Sequence, residues 1–288
     1  MKVFKIFLIL FPVFSLIFYS CTKIDEPYAT ARNVNIKDTI MNWDTIPAIR
    51  KVIIEDYTGH KCVNCPEAAI TARTLEELHE GQLIVMAVHA GFYAQPGTGD
   101  YALNLTTQAG NDWNNDFNLV SYPSGMVNRK EFESSRLLAP GKWGSSVKQI
   151  ITLPPVVQMM ITNKYDPDSR KVISTVYSRF INQMAGTYTL TVCIVEDSII
   201  GAQKNSNPKV GPTPDWFNYV FNDVLRGTLN GSYGEVMTTA PNTELTYLGR
   251  YPSVIDPSFI PKNCWILAYV SNSATKEILQ VEKKRIMP

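Results

Sequence analysis

The chain has 288 residues, enough for one large domain or two ordinary ones. It is 45% hydrophobic and 18% charged, which excludes an intrinsically disordered chain. Its formal net charge is +1 with no long basic run, so it lacks the electrostatic footprint of a nucleic-acid binder.

The first twenty residues stand apart. Lys2 and Lys5 precede an apolar run from Ile6 to Tyr19, shorter than the roughly 20 residues a membrane-spanning helix needs and interrupted by Pro12. This is the layout of a signal peptide over 1–20. Ser20-Cys21 resembles the lipobox of bacterial lipoproteins, which implies lipidation of Cys21 and a membrane anchor there. Acyl chains bury about 0.8 kcal/mol per methylene, so several chains hold a protein on a membrane without a spanning helix. The following "TKIDEP" resembles the surface-export signals of some Bacteroidetes lipoproteins, and "DTI" (38–40), "DTI" (44–46) and "DSI" (197–199) resemble O-glycosylation acceptors of that group. An outer membrane lipoprotein, on the periplasmic or the surface-exposed face, is expected.

Residues 21–44 read as a tether, with one strand near "NVNIKDTI". "KVIIEDYT" (51–58) is a short apolar strand that ends at Gly59. "PEAAITARTLEELHEG" (66–81) is an amphipathic helix, with Ala68, Ala72, Leu75 and Leu78 on one face. Pro66 suits its first turn and Gly81 its C-terminal stop. "QLIVMAVHA" (82–90) reads as a strand buried on both faces. A glycine-rich loop follows at 91–101, then a helix in "LTTQAGNDWNNDFNL", strands around "YPSG", and a third helix in "GKWGSSVKQIITL". "LPP" (153–155) closes an α/β domain over 45–153. From 154 to 288 the chain becomes a series of alternating strands with turn signals such as "DPDS" (166–169), which predicts an antiparallel β-sandwich domain. The aromatic stretch "TPDWFNYVFND" (213–223) is expected to be buried in that sandwich.

"GHKCVNC" carries the chemistry. Cys62 and Cys65 lie two residues apart, between a strand and a helix N-terminus. The partial positive charge and free N–H groups of a helix start favour a thiolate, and Lys61 adds to them. Cys62 would be the exposed attacker and Cys65 the resolving thiol, with Glu55 or Asp56 beneath them as proton acceptor. A structural staple is the first alternative, but a loop this short gains little from closure. A metal site with His60 or His89 is the second, and it lacks another ligand pair. Cys193 and Cys264 are open between a second disulfide and two buried thiols.

These residues resemble the thioredoxin-like fold, in which a Cys-x-x-Cys opens a helix and a cis-proline loop faces it. The resemblance implies Asp56 as the buried acid and Tyr122-Pro123 as the facing cis pair. Thioredoxins carry Trp where Lys61 stands and Gly-Pro where Val63-Asn64 stand. Nearly the whole mature chain, through "EDYTGHKCVNCPEA", "YPSGMVNR", "VFNDVLRG", "GSYGEV" and "ATKEILQV", resembles the 28-kilodalton outer membrane protein family of Bacteroidetes lipoproteins. That family is similar in having a lipoprotein signal, a thioredoxin-like domain and a C-terminal β domain. The expected function is thiol–disulfide exchange in the cell envelope, without a cofactor, on partner proteins that carry thiols or disulfides. The alternative is a surface binding or assembly lipoprotein in which the cysteine pair is a relic.

Overall fold

The computed structural model describes residues 34–37 and 41–287. The expected signal peptide, Cys21 and the first "DTI" lie outside the described residues. The chain is mixed α/β and mostly strands.

Strand β1 (Val34–Lys37) precedes β2 (Val52–Thr58), α1 (Cys65–Leu78) and β3 (Leu83–His89). Then come α2 (Gln108–Asp116), β4 (Ser124–Val127) and α3 (Pro140–Ile150). β2 is buried along its whole length because it runs between two partners, parallel to β3 and antiparallel to β4. Ala68 and Ala72 of α1 pack with Trp143 and Val147 of α3 over one face of these strands. Ala109 and Trp113 of α2 cover the other face.

The second half supplies β5 (Val157–Asp166), β6 (Lys171–Phe180), β7 (Tyr188–Glu196), β8 (Ile199–Lys204) and β9 (Asp215–Phe221). These are followed by β10 (Val224–Thr228), β11 (Glu235–Thr238), β12 (Leu245–Val254), β13 (Cys264–Asn272) and β14 (Ile278–Arg285). β6 alternates strictly between buried and half-buried residues, the pattern of a strand with one face on a core. With β1, β12 and β5 it forms a four-stranded sheet, in the order β1-β12-β6-β5, that packs on β7 and β13.

The large sheet runs β14-β13-β7-β10-β3-β2-β4, with β11 paired to β7. It crosses the expected boundary at 153/154. β10 lies parallel to β3, with Val224 opposite Ala87, and antiparallel to β7. The sheet also curls, so that β14 approaches β2 and β4. Lys51 N–H donates to Gln280 (2.9 Å) and Ile278 N–H to Asn128 O (2.8 Å).

One corner of this core is ionic. Arg129 and Glu55, about 1% and 0% exposed, form a two-point ion pair at 2.6 and 2.8 Å. The guanidinium also lies against the rings of Trp113, Phe117 and Tyr269, 4.7–5.3 Å from their centroids. An aromatic cage of this kind returns part of the hydration that a buried cation gives up.

β8 and β9 form a separate two-stranded ribbon. The aromatic stretch therefore does not enter the core as a whole. Phe221 is buried, but Phe217 is 55% exposed.

Candidate functional site

β2 ends at Thr58, and the chain turns at Gly59 into the cysteine segment. A β-carbon at position 59 would lie 2.4 Å from the Tyr93 carbonyl carbon, so only glycine fits there. Lys61 N–H donates to Tyr93 O across this contact (3.0 Å). Cys65 opens α1, with Pro66 just inside the helix. Cys62 and Cys65 are joined in a disulfide, with Cα atoms 5.4 Å apart.

The Tyr122–Pro123 peptide bond is cis. Ser124 is opposite Tyr57 in the β2–β4 register, so this bond lies at the same end of the sheet as the cysteine segment. The Tyr122 hydroxyl donates to Asn114.

Glu55 is committed to Arg129, which leaves Asp56 as the acid on the cysteine side. Asp56 is 2% exposed, and its Oδ1 has no hydrogen-bond partner. It lines a cavity of about 1080 Å³ together with Cys65, His89, Tyr219 and Glu76. Burial pushes the Asp56 carboxyl up to about 7. Burial also lowers His89 to about 3, with a smaller push from His60, so the imidazole is neutral. Its ring meets Phe221 edge-on, 5.4 Å between centroids. A carboxyl that titrates near neutrality can take up or release a proton under ordinary conditions.

The expectation that Cys62 is exposed is not met: its exposure is 3% and that of Cys65 is 2%. The cover comes from β8 and the loop after it. Gln203, itself 2% exposed, donates its amide to Cys62 O (2.9 Å) and Gly59 O (3.3 Å). Lys204 N–H donates to His60 O (2.8 Å), and Ser206 N–H to Val63 O (3.0 Å). Asn205 braces the loop by donating to the carbonyls of Asn207, Gly211 and Pro212. Sequence reasoning did not find these residues, because 141 positions separate Gln203 from Cys62 and no local pattern marks the contact.

Cys193 and Cys264 are free and buried, which resolves the open pairing in favour of two thiols. Among the described residues, no group of His, Cys, Asp or Glu is placed to hold a metal. No helix there is long and apolar enough to cross a membrane.

The family model described as "Outer membrane protein Omp28" matches residues 110–288. The chain belongs to the Omp28 family. No curated protein matches it. Among solved structures, HBP35 of Porphyromonas gingivalis is similar at 15% identity with a TM-score of 0.62, over 83% of this chain and 76% of that one. Protein AGR_C_4864 from Agrobacterium tumefaciens is similar at 11% identity with a TM-score of 0.50, over 83% and 96%. A domain of the outer membrane lipoprotein Omp28 from P. gingivalis is 21% identical over 46% of this chain and 88% of that one, with a TM-score of 0.31. At these identities the first two likenesses concern the fold alone.

Proposed function

We propose that this Omp28-family protein is a lipoprotein anchored through Cys21 that carries out thiol–disulfide exchange in the cell envelope. The strand–disulfide–helix unit with Asp56 and cis-Pro123 is read as a thioredoxin-like portion over 45–153. The strands of 154–288 are read as a β-sandwich-like partner to it. The observation that carries the proposal is the Cys62–Cys65 disulfide at the start of α1 with an unpartnered buried carboxyl, Asp56, in the cavity that Cys65 lines.

In the reductive direction, a partner's thiolate attacks one sulfur of the pair and the Cys62–Cys65 bond breaks. The released thiolate takes up a proton, for which the neutral Asp56 carboxyl is a source. In the opposite direction Cys62 thiolate attacks a partner disulfide and Cys65 resolves the mixed species, with its proton passing to Asp56. Pro123 is read as positioning the partner chain.

A Cys65→Ser variant tests this reading. It should accumulate mixed disulfides through Cys62 with envelope proteins, and Cys62→Ser should not. A Cys65→Ser protein that traps nothing in envelope extracts overturns the exchange role. The burial of Cys62 favours a second reading, a surface binding protein in which the pair is a relic. A reduction potential far below those of known oxidoreductases would support that reading.

A further inference from the structure

We propose that Gln203–Ser206 is a built-in occupant of the edge on which a polypeptide partner docks, and that Gln203 sets access to the Cys62–Cys65 bond. The proposal rests on the exchange reading above and names the partner class: an extended polypeptide.

The carbonyls of Gly59, His60, Cys62 and Val63 belong to the turn that carries the disulfide, where Gly59 O also accepts from Cys62 N–H (2.9 Å). All four are taken by donors from Gln203, Lys204 and Ser206. Two of these donors are backbone N–H groups, that of Lys204 at the end of β8 and that of Ser206 in the loop after it, and main-chain pairing of this kind is how an extended peptide is bound. The segment thus holds the place of an extended partner. Its first part is held in the β8–β9 ribbon, where Lys204 pairs with Asp215 (2.5 Å) and Asn205 N–H donates to Pro214 O (3.0 Å), and its outer end is held by polar contacts alone. Ser206 Oγ donates to Asn64 (2.9 Å) and Asn207 to Glu67 (3.3 Å), both at the surface. Exposed hydrogen bonds of this kind let that outer end open locally without unfolding the core. The Gln203 amide is the exception. It is fully enclosed and bridges two carbonyls of the cysteine segment, so the site cannot open without releasing it.

Reduction of the bond takes two electrons from a dithiol, which becomes a disulfide while Cys62 and Cys65 each gain a proton. The rate of that reaction measures access. In the full chain, Gln203→Met keeps the volume and removes both donors. Dithiothreitol should then reduce Cys62–Cys65 about tenfold faster, one order of magnitude for roughly one hydrogen bond's worth of closure. A two-cysteine hexapeptide should gain more than dithiothreitol, because the freed carbonyls can pair with its backbone. A gain of less than twofold for dithiothreitol overturns the access role. A peptide gain no larger than that of dithiothreitol overturns the docking edge.

The unaltered protein gives a check that does not depend on the variant folding. Its Lys204 and Ser206 amides should be protected from hydrogen exchange. The protection factor should match, within about tenfold, the slowing of disulfide reduction relative to a free Cys-Val-Asn-Cys peptide. Unprotected amides, or a bond reduced as fast as in the peptide, overturn the proposal. Failure of the Cys65→Ser trap leaves these kinetics untouched, so the two readings fail separately.

Discussion

Glu55 and Asp56 are neighbours on β2, and their carboxyls go to opposite faces of the sheet. Glu55 meets Arg129 at 2.6 Å inside an aromatic cage, while Asp56 meets no partner in a cavity lined by Cys65 and His89. One position is built for stability. The other carries a cost, a buried carboxyl with no counter-charge.

The cost at Asp56 is visible in pH dependence. Its folded value, about 7, lies above the roughly 3.9 of an unfolded aspartate. The folded state therefore holds the extra proton between those values. Its penalty is absent below about pH 4 and complete above about pH 7, where it reaches at most about 4 kcal/mol. Asp56→Asn should accordingly raise stability by a few kcal/mol at pH 8 and change it little at pH 4. Urea unfolding at both pH values checks this. An equal effect at both would show that Asp56 is not held protonated. If Asp56 also moves the proton, the variant exchanges disulfides more slowly while being more stable.

His89 works in the opposite sense. Its folded value near 3 means that the unfolded chain binds the extra proton between about 3 and 6.5. Stability from this group is therefore lost as the pH falls through that window. The two slopes oppose each other in the native protein. Removing one alone, with His89→Gln, leaves the Asp56 slope unopposed, so relative to the parent the variant should gain stability as the pH falls from 6.5 to 4, measured as the change in urea midpoint across that range.

The Glu55–Arg129 pair should behave as a buried charge pair does. Arg129→Met leaves Glu55 without its counter-charge and should cost about 3–5 kcal/mol. Adding Glu55→Leu to it should recover part of that loss, since two apolar groups then face each other. A double variant less stable than Arg129→Met alone would show that the pair is not the reason for the loss.

Gly59→Ala should destabilise by about 1–3 kcal/mol, because the new methyl meets the backbone of Tyr93 and Ala94 at 2.4–2.6 Å. Denaturant midpoints compare it with the parent chain. A neutral result would mean that the 91–101 loop gives way.

Cys193 and Cys264 should be inert in the folded protein. Burial pushes the Cys193 thiol far up and the Cys264 thiol up to about 12. Iodoacetamide at pH 8 should label neither until the chain is unfolded. Mass analysis of peptides from native and unfolded samples reads the difference.

The β2-α1-β3 core was legible in the sequence because each element announces itself locally. "VIIEDYT" is an apolar run that ends in glycine, and Pro66 with Ala68 and Ala72 marks a helix start and its buried face. β6 was equally clear from its alternation. The side of Asp56 was not, because β2 is buried on both faces and gives no alternation to read. The cover over Cys62 was invisible for another reason: Gln203, Lys204 and Ser206 are ordinary polar residues whose meaning lies in carbonyls far away in the chain. The ribbon position of β9 was missed because an aromatic-rich strand looks the same in sequence whether or not a second layer covers it.

β10 has a mechanical consequence. It lies between β3 and β7, and so the first half borrows an interior strand from the second. The two halves therefore cannot swing on a hinge at Leu153-Pro154-Pro155 without tearing a sheet. A chain severed there would leave β3 without the strand that takes its Ala87 N–H, an open edge that invites clumping rather than an independent protein.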